Sequence, residues 1–490
     1  MRLDPRAASI ALATTLGAQA LFAQGASTLD AVARALGGKE RVLAVRTLVL
    51  EGPGNNFNFG QNLTPDAPLP RFEVTQSRRS IDFANKRWQL DQTREPRFVT
   101  GNVAPQRQRF GIDGDVAYNI ANDGAMTRVG GQTAVDRAND PLHHPIGFLQ
   151  AAFAAGSEIT EDQPRDNLQW VRINVAGNKF AMLVDPSTML PLRTQKITDH
   201  PMLGDALIET EFADWRDVDG LKLPMRVTQK LDGRWVLSEM RYTTAAVDGD
   251  VGDLAATPDV RAQTPAAPVV NVTVEDIAPG VWYLNGQTHH SVAIETARSV
   301  VLVEAPQNDA RTLAVIEKAR TLVPGKTVDL VINTHHHFDH SGGVRAAVSQ
   351  GLTVLTHQGN REFYERTLYP RRHFIIPDAL TRTPKPLHLL TVADKYVRRD
   401  SLRTIEVYRI DGSQHSGSML MVYLPAEKLL IEADLYTPPA ANATTVGPFP
   451  FAANLLDNIQ RRGLQVERIV PIHGRVIMLT ELQTAATRAP

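Results

Sequence analysis

The chain has 490 residues, 43% hydrophobic and 21% charged, which describes a folded protein too long for one ordinary core, so two domains are expected. Lys and Arg number 52 against 53 Asp and Glu, and the net charge of -1 gives no electrostatic reason to expect nucleic acid as a partner. With no cysteine, disulfides, zinc–thiolate sites, iron–sulfur clusters and cysteine nucleophiles are excluded, so any metal site must use His, Asp and Glu.

Arg2 and Arg6 precede a weakly apolar run from Ala7 to Ala23, and Ala18-Gln19-Ala20 offers a small-residue cleavage site. Residues 1–25 therefore read as a signal peptide, which predicts a periplasmic or secreted protein. No later segment approaches about 20 uninterrupted apolar residues, so no transmembrane span is expected.

Residues 26–253 read as a mainly antiparallel β domain. A short helix from Leu29 to Leu36 is stopped by Gly37-Gly38, and alternating runs follow at Arg46–Glu51, Phe72–Gln76 and Arg87–Asp91. Gly177-Asn178 and Asp232-Gly233 each sit between two such runs and predict hairpins. A helical interruption is expected from Ile146 to Ala155. His143-His144 reads as an inert pair on a surface loop. Residues 254–270, with Pro258, Pro265 and Pro268 among alanines, read as a linker.

From residue 271 the pattern changes. Short strands are predicted at Val281–Leu284, Val292–Glu295 and Val300–Glu304. A helix from Asp309 to Leu322 places Leu313, Ile316 and Ala319 on one face, and the buried-looking strand Val328–Asn333 follows. Continued alternation to residue 490 indicates an α/β domain with its chemistry on loops at strand ends.

Directly after that strand comes His335-x-His337-x-Asp339-His340. Residues i and i+2 leaving a strand point the same way, so His335 and His337 can grip one ion. A turn after Phe338 lets Asp339 and His340 face a second ion, and Ser341-Gly342-Gly343 supplies a permissive backbone into the next helix. A fortuitous His-rich loop would not set an Asp-His step behind a buried strand.

This segment resembles the HxHxDH signature of the metallo-β-lactamase-fold superfamily, and the likeness runs from about Val272 to the end. The resemblance implies an αββα sandwich and three further ligands. His415 in Asp411-Gly412-Ser413-Gln414-His415 fits one, Asp434 after Leu429–Ala433 another, and His473 after Ile469–Ile472 the last. It places His335, His337 and His415 on a first metal, Asp339, His340 and His473 on a second, and Asp434 as the bridge. Two Zn2+ are the expected cofactors, with Fe or Mn as the alternative. Glu304 stands where the family usually has Asp, in a position that supports the ligands.

The resemblance further implies a hydrolase that uses a metal-bridging hydroxide to cleave an ester, lactone, thioester or amide of a small-molecule substrate. Asp339 would orient the hydroxide as well as ligate, and Asp434 would hold the ions at their working separation. A bridging Asp434 looks like the glyoxalase II and lactonase branches. The flavodiiron branch carries Glu where His337 stands, and the lack of cysteine excludes an Asp-Cys-His second site. Two alternatives stay open. One is a periplasmic protein binding lipid or another apolar ligand, with a structural or vestigial metal site. The other is a mononuclear-iron enzyme resembling persulfide dioxygenases. The first alternative follows from the N-terminal half, where Asp214–Pro224 is similar to a phrase of periplasmic lipoprotein-carrier (LolA-like) domains.

Other residues are assigned by context. His336 points away from its neighbours and reads as a packing or supporting residue. His289-His290 reads as a substrate-facing edge, His357 and His373 as surface or helix-end residues. Phe338 and Tyr436 are expected to line the pocket, and Tyr364–Pro386 to cover it.

Overall fold

The computed structural model describes residues 28–99, 104–162, 168–267, 270–440 and 448–487. The expected signal peptide, residues 1–25, lies outside the described residues.

Among the described residues, fifteen strands between Thr47–Glu51 and Thr244–Val247 form one antiparallel sheet. Its middle is the set Arg71–Asp82, Gly54–Phe57, Trp235–Arg241, Leu221–Leu231 and Gly204–Val218. The Asp232-Gly233 hairpin forms as expected. Both residues take left-handed φ, 52° and 64°, within the three-residue turn Asp232–Arg234 that returns Leu231 to Trp235. Gly177 likewise turns Gln169–Val175 into Asn178–Val184. The helix at residues 28–35 and the helix Pro145–Phe153 lay Leu29, Val32, Phe148 and Leu149 on the apolar face, against Leu48, Val74, Trp88 and Val171.

Three local expectations are corrected. His143 and His144 are not on a surface loop: His144 is buried and His143 half-buried, enclosure pushes each imidazole down to about 3, and His144 Nδ1 caps the helix by accepting from Ile146 N at 3.3 Å. The stretch read as a linker carries the helix Pro258–Ala262, capped by Thr257, with Val260 buried and Arg261 paired with Asp113. A helix at Gly131–Asn139 was not foreseen. It begins on glycines without a side-chain cap and is mostly polar, so neither end announces it.

The C-terminal half is an αββα sandwich. One sheet runs from Thr273–Ala278 to Leu389–Val392, the other from Lys395–Arg399 to Ile477–Met478. Val301, Val303, Leu330 and Ile332 of the first sheet meet Val422, Leu430, Ile431 and Val470 of the second in a closed apolar layer. Asp309–Leu322 and Val344–Ser349 cover the first sheet, and Ala452–Arg461 and Leu479–Ala486 lie at the second.

The two halves share a core. Met202, Leu203, Ala206 and Leu231 of the N-terminal sheet belong to the apolar cluster that contains Leu284, Val315 and Leu368. Polar contacts lock this seam: Arg371 Nη2 donates to Asp232 Oδ2 at 2.5 Å, and Phe374 N and Ile375 N donate to Asp205 Oδ1, each at 3.0 Å. The segment expected to cover the pocket thus bridges to the N-terminal sheet.

Candidate metal centre

Five strand ends of the sandwich converge at one edge. Parallel pairing sets Glu432 beside Pro471, so the residues just beyond, Asp434 and His473, emerge together. The parallel pair Ser299–Val303 and Thr327–Ile332 likewise delivers Glu304 and His335 side by side. Asp434 and Glu304 both hold left-handed backbone, φ 62° and 76°, an unfavourable state for non-glycine residues that surrounding structure must impose and that collects at functional sites.

All seven residues expected as ligands come together, in two groups whose ligand atoms lie within 4.8 Å of one another: His335, His337, His415 and Asp434, then Asp339, His340 and His473 with His289. Asp434 is the hub. Its Oδ2 lies 3.2 Å from His335 Nε2, 2.7 Å from His340 Nε2 and 3.1 Å from His415 Nε2, while Oδ1 lies 2.8 Å from His473 Nε2.

The donor chemistry fits a cation. His335 Nε2, His337 Nδ1 and His415 Nε2 are buried without a hydrogen bond, and lone pairs left so are what a metal satisfies. The opposite ring nitrogens are held. His335 Nδ1 meets Thr334 Oγ1 at 3.0 Å and His473 Nδ1 donates to the Thr288 carbonyl at 2.5 Å, while His340 Nδ1 faces Glu304 Oε2 at 3.4 Å without a hydrogen bond between them. Such outer contacts fix tautomer and ring orientation at metal sites. Glu304 is itself fixed, accepting from Thr334 N at 2.9 Å, so the longer side chain still reaches its supporting position.

Charge is distributed unevenly. Burial pushes the His335 imidazole down to about 3 and His337 well below its usual value. Burial acts the same way on His340 and His473, but Asp434 beside them outweighs it and both are raised. Burial alone would raise Asp434 and Asp339, yet the surrounding histidines hold both carboxyls far below the carboxylate range. Glu432, buried two residues before the hub, is pushed up to about 8.

The N-terminal half reaches into this centre. The chain at 59–63 lies over the His-rich loop: Phe338 N donates to Gly60 O, Phe59 packs edge-on against Phe338 at 4.9 Å, and Gly417 N donates to Leu63 O. Gln61 Nε2 donates to Asp339 Oδ1 at 2.8 Å. His337 Nε2 donates to the Asn62 carbonyl at 3.0 Å, which leaves Nδ1 as the lone pair facing the first group. Sequence reading missed this loop, because its partners lie more than 270 positions away and no local signal carries the contact.

Other expectations divide. His336 joins neither group; it is buried near Phe363 and lines a cavity of about 300 Å³ at the seam with Phe59, Trp235 and Phe338. Of the pair expected at the substrate edge, His289 enters the second group, but His290 is buried against Tyr283 and accepts from Gly286 N. His357 and His373 are buried, not on the surface; His357 does cap a helical turn, accepting from Gly359 N. Tyr436 is also buried, packed against Phe449 at 4.9 Å, and Phe338 is partly buried in the seam.

Residues 284–471 match the family model of the metallo-beta-lactamase superfamily. Among solved structures, the chain is similar to a metallo-beta-lactamase from Pontibacter korlensis, at 20% identity over 44% of this chain and 98% of that one, TM-score 0.35. It is similar to another from Pseudomonas aeruginosa in a mono-zinc form, at 21% identity over 45% and 95%, TM-score 0.35. A third, from Hirschia baltica, gives 19% identity over 44% and 96%, TM-score 0.34. No curated protein matches. That match supports a metal-dependent hydrolase in general terms. No helix among the described residues is long and apolar enough to cross a membrane.

Proposed function

We propose that the protein is an exported zinc hydrolase with a dinuclear centre, acting on an ester, lactone, thioester or amide bond of a small molecule. Its ions would be held by His335, His337 and His415 in one group, by Asp339, His340 and His473 in the other, and by Asp434, which reaches both groups. The observation that carries the reading is Asp434, whose two oxygens lie within 3.2 Å of four imidazole nitrogens from both groups. A pair of divalent ions bound there supplies Lewis acidity to a substrate oxygen and brings proton loss from water towards neutral pH. Asp434 balances the charge and fixes the separation of the two groups. Asp339, gripped on one oxygen by Gln61, presents the other to the centre and orients the attacking water. The bridging carboxylate supports a glyoxalase II or lactonase-like specificity. Export rests on residues 1–25.

Metal content measured alongside turnover of lactones, thioesters, aryl esters and β-lactams tests this. Wild-type protein is expected to hold two ions and to turn over one of these classes, and His337→Ala to lose both properties. Undiminished turnover in His337→Ala with the first position empty would sink the assignment.

A second reading has one observation in its favour. The N-terminal sheet encloses a cavity of about 640 Å³ lined by Trp88, Leu90, Phe110, Phe212 and Met240, with Arg79 and Lys196 in its wall. Asp136, Asp140 and Asp199 stand in the same wall, with Arg79 paired to Asp140, so the lining suits a ligand that is mainly apolar. Lipid co-purifying with protein that turns over none of the four substrate classes would favour a carrier.

A further inference from the structure

We propose that His289 is a ligand of the second ion, so that this position has five protein donors while the first has four. The inference rests on the two-ion reading above and adds a residue that the HxHxDH pattern does not include.

His289 follows the strand Val281–Asn285, where Gln287 in left-handed conformation, φ 56°, turns the chain back over the centre. The backbone is pinned on both sides of the ring. The Thr288 carbonyl accepts from His473 Nδ1, and the His289 carbonyl accepts from Arg311 Nη2 at 3.4 Å. The side chain is therefore delivered by a rigid loop. Its Nε2 lies 3.1 Å from Asp339 Oδ2, and its ring stands edge-on to His473 at 4.3 Å.

Two roles fit the 3.1 Å contact: Nε2–H could donate to Asp339, or the Nε2 lone pair could face an ion that Asp339 also binds. A donor role fixes one distance. Here the ligand atoms of His289, Asp339, His340 and His473 all lie within 4.8 Å of one another, so the nitrogen converges with two imidazoles as well as with the carboxylate. Asp339 Oδ1 is already engaged by Gln61, which leaves Oδ2 for the same point. His289 Nδ1 has two outer partners, Thr288 Oγ1 at 2.9 Å and the Gln307 side-chain amide at 3.1 Å, and ligation through Nε2 requires Nδ1–H to donate to the Thr288 hydroxyl or to the Gln307 amide oxygen. Asp434, 2.7 Å from His340 Nε2 and 2.8 Å from His473 Nε2, completes the five.

Zinc is usually four-coordinate and can expand to five, so five protein donors would leave the second position no room for a further ligand. The four-donor position is then the more open one for a substrate oxygen.

The test uses full-length protein and two variants, His289→Ala and His289→Gln; glutamine keeps an N–H donor for Asp339 but is a poor metal ligand. Zn2+ binding is titrated against a chromophoric chelator, and Co2+-loaded protein is compared by visible absorption. Both variants are expected to keep one tight ion, to bind the second at least about tenfold more weakly, and to change the cobalt spectrum. If His289→Gln matches wild type in both readouts, His289 only positions Asp339 and the proposal is overturned. A measurement on wild-type protein needs no variant. With 15N-labelled histidine and 113Cd2+, six imidazoles should show cadmium–nitrogen coupling; five, with His289 uncoupled, would overturn it. Wild-type protein that takes up fewer than two ions would instead defeat the dinuclear reading itself.

Discussion

The sandwich and the N-terminal sheet contribute to the centre in different currencies. Every side chain in the two ligand groups comes from the sandwich, between His289 and His473. The sheet contributes the loop at 59–63, with three carbonyls (Gly60, Asn62 and Leu63), the Gln61 amide and an aromatic contact. Ligands decide whether an ion binds; the loop decides how well the ligands are aimed. The comparison teaches that a domain without a ligand can still belong to a metal site.

Substitutions can break this division or sharpen it. The largest effect is expected from Asp434→Asn, which weakens the hub of both groups: ion affinity and turnover should fall by more than about a hundredfold, read by chelator competition and initial rates. His415→Ala comes next. It should empty the first position while leaving one ion bound, so metal content falls from two to one. Gly60→Val tests the sheet's share. A Cβ at Gly60 would lie 2.4 Å from the Phe338 ring, at φ 81°, so the loop must move off the centre. Ion affinity is expected to drop about tenfold to a hundredfold, although no ligand changes. An unaltered affinity would return the site to the sandwich alone. Gln61→Ala removes a single hydrogen bond to a carboxylate and should cost about 1 kcal/mol of ion affinity, a factor of about five.

The last effect concerns fold stability and not the centre. Asp378 accepts from Arg345 Nε at 2.5 Å and caps the helix Ala379–Arg382. Burial would raise its carboxyl, but the Arg345 and Thr381 hydrogen bonds outweigh burial and bring it down to about 2. A depressed carboxyl stabilises the fold above its unfolded value, near 3.9, and that contribution is lost as pH falls towards 2. Asp378→Asn should therefore lower stability at pH 7 by on the order of 1–2 kcal/mol in urea unfolding. The gap to wild type should close between about pH 4 and pH 2, with ion content unchanged.

What could be read from sequence was what is local. The run His335 to His340 carries its own geometry: a strand, two alternating imidazoles, a turn. Asp232-Gly233 is a hairpin because two adjacent residues must both take left-handed φ. His415, Asp434 and His473 were legible only through resemblance, since nothing near them in sequence marks them as ligands. Burial was the property least well read. His143, His144, His357 and His373 carry no mark of depth, yet all four imidazoles are pushed below their usual value by being enclosed. The Asn62 carbonyl, a backbone atom held 275 positions from its partner, could not have been read at all.

That carbonyl has a thermodynamic corollary. If ions prefer His337 aimed as it is when the halves are docked, then by reciprocity each bound ion tightens docking by the same free energy. The metal acts as a clasp between the halves as well as a reagent, and a chelator works as a wedge in the joint.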